Sequence, residues 1–263
     1  MGLSDVEVAL AAVRAGADVV RRSYGRELER FAKSATDFAT NVDLESERAI
    51  LGVIAEARPE DTREGEESAA VEGASGRRWL VDPLCGTVNF AAATPLAAVN
   101  VALQEGDRVV VGASADPMAD ELFWTDGERA FARTAGRDEQ MTPSATSGPV
   151  DVNCDGPLDR PFVGGNLVAD PAFRAAFGPR VISSTLAVAW VAAGRRAGYV
   201  SDGYFRGNVH FSAGIAVCIA AGCVVSDLAG QPLHSGRGLI VAADAATHAR
   251  LVEIARPHLD ALE

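Results

Sequence analysis

The sequence predicts a layered α/β protein, and three features carry that prediction: two amphipathic helices open the chain, a run of strands follows, and shorter strands then alternate with helices to the end. Residues 4 to 30 repeat apolar positions at helical spacing, with Ser4 and Glu7 spaced as a capping box. Residues 43 to 57, "DLESERAILGVIAEA", read as the second helix, with acidic residues in the first turn where they suit the helix dipole. Strands are expected at 78 to 82, 97 to 103, 109 to 115, 121 to 124 and 130 to 133, the last two joined through an Asp126-Gly127 turn. That is a meander-like sheet behind two helices.

After the polar segment "DEQMTPSATSGP" the texture changes, which places a boundary near residue 145. The expected halves are an N-terminal α+β subdomain, 1–145, and a C-terminal α/β subdomain, 146–263. Strands at 181–182, 199–200, 224–225 and 239–242 alternate there with helices at 184–194, 211–222 and 244–259. A cleft between two such subdomains is a common place for a small-molecule site.

Composition narrows the partner. A net charge of −12 lacks the basic face that nucleic acid or an anionic membrane surface requires, so a small-molecule substrate is expected. The opening "MGLSDVEVALAAVRAG" has no signal-peptide pattern and no apolar run is long enough to span a bilayer, which predicts a cytoplasmic protein. Cys85, Cys154, Cys218 and Cys223 show no C-x-x-C spacing and are expected as free thiols.

The stretch "WLVDPLCGTVNF", residues 79 to 90, carries the chemical question. An Asp-Pro-x-Asp-Gly-Thr turn after an apolar strand would present two carboxylates three residues apart, suited to metal and phosphate; here the second is Cys85. Together with "KSATDFATNVD" at 33 to 43, "GEES" at 65 to 68, "STLAVAWVAAGR" at 184 to 195 and "HFSAGIAVCIAAGCVVSDLAG" at 210 to 230, this stretch resembles the inositol monophosphatase family in order and spacing, over nearly the whole chain.

The resemblance implies a five-layered αβαβα sandwich, a homodimer and a magnesium-dependent phosphomonoesterase. It implies that Glu66, Asp82 and the Leu84 carbonyl hold a first metal, that Asp82 bridges to a second, and that Asp43 and Thr87 orient the attacking water. Magnesium prefers hard oxygen ligands, and paired ions stabilise both attacking and leaving oxygens. The Gly86 and Thr87 amides, at the start of a helix, would receive phosphate. Ser184, and Ser201 with Asp202, fall at or near substrate-contacting positions. Lys33, the only lysine, borders the catalytic loop and is either phosphate-orienting or a plain surface charge.

Both second-metal ligands differ from the family pattern. Counting back from Asp227 without gaps puts the family's metal Asp at His210, and a one-residue slip puts Phe211 there; the small residues Ala213 and Gly214 favour His210. Four readings follow. The first is a repurposed enzyme that needs no cofactor, in which Cys85, His210 and Asp82, with Glu67, Asp43 and Thr87 nearby, perform acid-base or nucleophilic catalysis on a small polar metabolite of specialised metabolism. The second is a weak magnesium phosphatase using the residual first site. The third is a zinc enzyme built on Asp82, Cys85, His210 and Glu66. The fourth is a non-catalytic binding protein. The repurposed enzyme is preferred at this point, because decay alone would as readily leave Ala, Ser or Asn. Cys154, Cys218 and Cys223 are expected as small core residues, and His234, His248 and His258 as solvated.

Overall fold

The computed structural model describes residues 2–34 and 37–260. The chain divides into two compact units, 1–140 with 184–186 and 207–217, and 141–183 with 187–206 and 218–263.

In the first unit the order is α1 (Asp5–Ser23), β1 (Arg30–Ala32), β2 (Phe38–Thr40), α2 (Asn41–Ala57), β3 (Thr62–Gly65), β4 (Arg77–Cys85), α3 (Thr87–Ala91), β5 (Ala98–Glu105), β6 (Arg108–Asp116), β7 (Glu121–Thr125), β8 (Ala130–Thr134) and β9 (Arg137–Gln140). Strands β3 to β9 form one sheet in chain order, antiparallel except for the parallel β3–β4 pair. The capping box at Ser4 and Glu7 starts α1 as the spacing predicts. The helix stops at Ser23 rather than near residue 30, because the chain turns through Gly25 at φ +72° and then pairs β1 with β2. Thr40 and Asp43 form a second capping box, which starts α2 two residues earlier than expected. Buried Val8, Val13 and Val20 of α1 and Ile50 and Ile54 of α2 pack with Trp79, Val81, Val99 and Val101 of the sheet. Gly16 lets the two helices close: a Cβ there would lie 2.6 Å from Ile50 Cδ1 and 2.8 Å from Ser46 Oγ.

In the second unit a five-stranded sheet runs β11-β10-β12-β14-β13. Its elements are β10 (Pro149–Val152), α4 (Val163–Ala169), α5 (Pro171–Ala176), β11 (Gly178–Val181), α6 (Leu186–Ala192), β12 (Gly198–Ser201), α7 (Ser212–Ala221), β13 (Val224–Ser226), β14 (Leu239–Ala242) and α8 (Ala245–Asp260); α6 and α7 each contribute residues to both units. Strand β10 and helices α4 and α5 escaped the sequence reading: α4 has two glycines in seven residues, and α5 is only six residues long. Two of the histidines expected to be solvated are engaged instead, His248 with Ser226 Oγ at 2.7 Å and His258 with Asp170 at 2.6 Å. All four cysteines are free; Cys218 is buried, while Cys85, Cys154 and Cys223 are partly exposed. No described helix is long and apolar enough to cross a membrane.

Candidate functional site

The site grows from an irregularity in β4. Asp82 pairs with Asn100 and Cys85 with Ala98, so one extra residue is accommodated on β4 around Pro83-Leu84. Proline, lacking an N–H, suits such a bulge, and a bulge re-aims the side chains beside it. Ser46 Oγ of α2 donates to the Pro83 carbonyl at 2.8 Å, tying the segment to the helix behind it. Gly86 follows at φ +98°, a left-handed conformation that favours glycine, and α3 begins at Thr87.

Three side chains converge above this turn. Glu66, Asp82 and His210 each offer a ligand atom, all within 4.8 Å of one another. His210 Nδ1 lies 2.8 Å from Asp82 Oδ2 and 3.7 Å from Glu66 Oε2. Asn208 sets that position by accepting hydrogen bonds from the His210 and Phe211 amides at the entry to α7. Asp82 is fully buried. Burial and the neighbouring Asp82 charge push Glu66 up to about 7. Burial opposes a charged ring at His210, but the Asp82 carboxylate outweighs it and holds the imidazole up at about 9.

The other expected residues divide. Asp43 is buried, and its carboxylate accepts from the Thr40 amide at 2.8 Å and from Thr87 Oγ1 at 2.9 Å. Thr87 Oγ1 also lies 3.1 Å from the Leu84 carbonyl oxygen, so Asp43, Thr87 and Leu84 meet. Burial raises the Asp43 carboxyl above its ordinary value against these hydrogen bonds. Lys33 Nζ reaches Glu66 at 2.8 Å and Glu67 at 2.7 Å, and those hydrogen bonds overcome burial and raise its ammonium further above its ordinary value. The contacts of Lys33 are therefore carboxylates and not open surface. Ser184 is buried beside Thr185, and its Oγ accepts the Leu186 amide at 3.4 Å.

Two expectations are corrected by this geometry, the nucleophilic Cys85 and the four-ligand zinc set. Cys85 is not in the converging group: its sulfur accepts the Thr185 amide at 3.4 Å. Burial first, and then the Asp82 charge, push its thiol well up, so it is held as a neutral thiol and not as a nucleophilic thiolate. The mixed zinc set of Asp82, Cys85, His210 and Glu66 accordingly does not converge as four ligands. In the second unit, Asp202 is committed to Arg237 through two hydrogen bonds, 2.5 and 2.8 Å, and accepts the Val163 and Gly203 amides. Buried Ser201 lies 3.3 Å from the Asp202 carbonyl oxygen.

Sequence reasoning missed Asn100, Thr185 and Glu47. Asn100 is fully buried, and its Nδ2 donates to Thr185 Oγ1 at 2.8 Å and approaches Asp82 Oδ2 at 3.4 Å. An asparagine inside the apolar run "AVNVAL" was the available signal. Glu47 is buried on α2 and accepts the Glu67 amide at 2.8 Å, fixing the "GEE" turn.

The profile of the inositol monophosphatase family matches residues 3–260. The chain belongs to the inositol monophosphatase family. It is 34% identical over 252 residues to a protein named Nus factor SuhB from Pasteurella multocida, covering 90% of each chain. It is 32% identical over 263 residues to an inositol-1-monophosphatase from Mesorhizobium japonicum, covering 95% of each. Among solved structures, the extragenic suppressor protein suhB of Bartonella henselae superposes with a TM-score of 0.83 at 27% identity, covering 94% of this chain and 96% of that one. The fold is therefore the mixed α/β fold of this family. These relationships overturn the expectation that phosphatase chemistry gave way to a Cys85/His210/Asp82 catalyst. Relatives matched over nearly their full length carry the family's phosphatase name or the SuhB name, and nothing in the geometry makes Cys85 a nucleophile.

Proposed function

We propose that this protein is a magnesium-dependent phosphomonoesterase acting on an inositol or sugar phosphate. The observation that carries the reading is the Glu66–Asp82 pair: two carboxylates with ligand oxygens within 4.8 Å of each other, where burial first and then the Asp82 charge push Glu66 up to about 7. Such a pair is the hard oxygen donor set that a divalent cation relieves of repulsion, and it fits magnesium. Glu66, Asp82 and the Leu84 carbonyl would hold the ion. When bound, magnesium supplies charge stabilisation to the phosphoryl oxygens.

The remaining roles belong to the chain itself. Asp43 and Thr87 share a hydrogen bond and would orient the attacking water, with the buried carboxylate accepting its proton. The Gly86 and Thr87 amides would take the phosphate oxygens. His210 places a cation against Asp82 where the family carries a carboxylate, and Cys85 stays a neutral neighbour, so this end of the site departs from the family's ligand pattern.

The test is release of inorganic phosphate from inositol 1-phosphate and a panel of sugar monophosphates, with and without magnesium, beside Glu66→Gln and Asp82→Asn. Magnesium-dependent release lost in both variants supports the reading. No release above the Asp82→Asn background on any substrate at saturating magnesium would overturn it.

A further inference from the structure

Helix α7 ends in a motif that brings two thiols together. Gly222 has φ +93°, its amide donates to the Ile219 carbonyl at 3.1 Å, and the Cys223 amide donates to the Cys218 carbonyl at 2.9 Å. That pair of bonds is a Schellman ending, in which the side chain three positions inside the helix end meets the one just beyond the left-handed residue. An apolar contact frequently fills those two positions; here both are cysteine, and the two backbone bonds set the Cys218 and Cys223 side chains beside each other.

The backbone sets the separation. Covalent geometry adds at most about 3.9 Å to the 2.9 Å hydrogen bond, so the two Cα atoms are no more than about 6.8 Å apart, within the span of a disulfide. Cys218 is fully buried and its Sγ donates to the Val188 carbonyl at 3.1 Å, whereas Cys223 is partly exposed. One thiol can therefore meet a small oxidant while the other waits behind it.

We propose that Cys218 and Cys223 form a reversible dithiol–disulfide couple at the end of α7, a modification site whose co-substrate is a low-molecular-weight disulfide. The Cys223 thiolate attacks one sulfur of the small disulfide, forming a mixed disulfide and expelling one small thiolate. Cys218, deprotonated by solvent, then attacks the Cys223 sulfur and expels the second. Two protein thiols are oxidised, one small disulfide is reduced to two thiols, and the two cysteine protons pass through solvent to the leaving thiolates. Burial, and then the neighbouring Cys223 thiol, raise the Cys218 thiol well above its ordinary value, which makes the second step the slow one.

The experiment equilibrates the full chain in glutathione buffers of increasing oxidised fraction, blocks free thiols with iodoacetamide in denaturant, and digests with trypsin. No Lys or Arg lies between Arg206 and Arg237, so both thiols fall in one peptide, 207–237. The expected result is conversion of the doubly alkylated peptide to one that carries no alkyl group and is two hydrogens lighter than the dithiol peptide, reversed by dithiothreitol. A peptide that stays doubly alkylated throughout, or that ends as a stable glutathione adduct on Cys223, overturns the proposal. Gly222→Ala, which forces a side chain into the left-handed position, should lower the equilibrium constant for closure about fivefold; an unchanged constant would show that the helix ending does not poise the pair.

Discussion

His210 Nδ1 sits 2.8 Å from Asp82 Oδ2, so a ring nitrogen faces the central carboxylate of the site. Asp82 has no exposed surface, and an unpaired charge there would be costly. In the metal-free protein the imidazolium and the Lys33 ammonium, two cationic groups, partly offset the three carboxylates of Asp82, Glu66 and Glu67.

That balance gives stability a pH dependence with a definite sign. The folded pKa of His210 is raised to about 9 from an ordinary 6.5. A raised pKa contributes stability that is fully present below 6.5 and is lost as the pH climbs through 9. The ring is about a third exposed, so the contribution is discounted for solvent screening to about 1–2 kcal/mol. Urea unfolding of magnesium-free protein should show wild type above His210→Gln by this margin at pH 6, with the gap closing by pH 9.5. A gap that is flat or widens with pH would show that the Asp82 pairing does not hold the ring charged.

The legible part of the fold was periodic. The amphipathic faces of α1 and α2 and the alternating strands β5 to β8 announce themselves through local repeats. Strands β1, β3 and β10 are three or four residues long and carry no readable period, so pairing partners distant in sequence define them. In the site, Asp82, Glu66 and Asp43 were legible from motif order, and His210 from counting back to a fixed turn. Asn100 was not, because its role comes from facing Asp82 across a ladder. Cys85 and His210 were expected to share a cavity with Asp82; the His210 ring nitrogen meets the Asp82 carboxylate, and the Cys85 sulfur takes the Thr185 amide.

Asp43 couples architecture to chemistry. Its Oδ2 accepts from the Thr40 amide, closing the capping box of α2, while its Oδ1 accepts from Thr87 Oγ1. Asp43→Ala should destabilise the protein by about 1–2 kcal/mol through the lost cap and should lower kcat much further, by about 100-fold, through the unanchored Thr87. Asp43→Asn keeps most of the capping geometry, so its stability should stay close to wild type while kcat remains low. Comparable kcat in wild type and Asp43→Asn would remove the carboxylate from the chemistry.

Asp202 is a structural partner of Arg237. Its carboxylate is largely buried and fully engaged by the guanidinium and two amides. Asp202→Ala removes two hydrogen bonds from that guanidinium and the acceptor of the Val163 and Gly203 amides, and should cost about 2–4 kcal/mol, seen as a lower Tm. Stability equal to wild type together with a raised KM would return Asp202 to substrate binding.

Cys85→Asp tests whether the altered turn limits the proposed phosphatase. The substitution puts a hard oxygen donor three residues from Asp82, where the family's DP-x-DGT turn has its second carboxylate. It also adds a like charge to a buried cluster, so two effects compete. Without magnesium, repulsion with Asp82 and Glu66 should lower stability by about 1–3 kcal/mol. With magnesium, the added oxygen should tighten ion binding measured by titration calorimetry and raise kcat/KM about tenfold, equivalent to about 1.4 kcal/mol. The decisive comparison is the magnesium-induced gain in Tm, which should be larger in the variant than in wild type because the ion relieves repulsion that only the variant carries. An equal gain, with unchanged calorimetric affinity, would mean that the residue at 85 does not face the ion, and the Thr185 amide contact of Cys85 would then stand as its only role at the site.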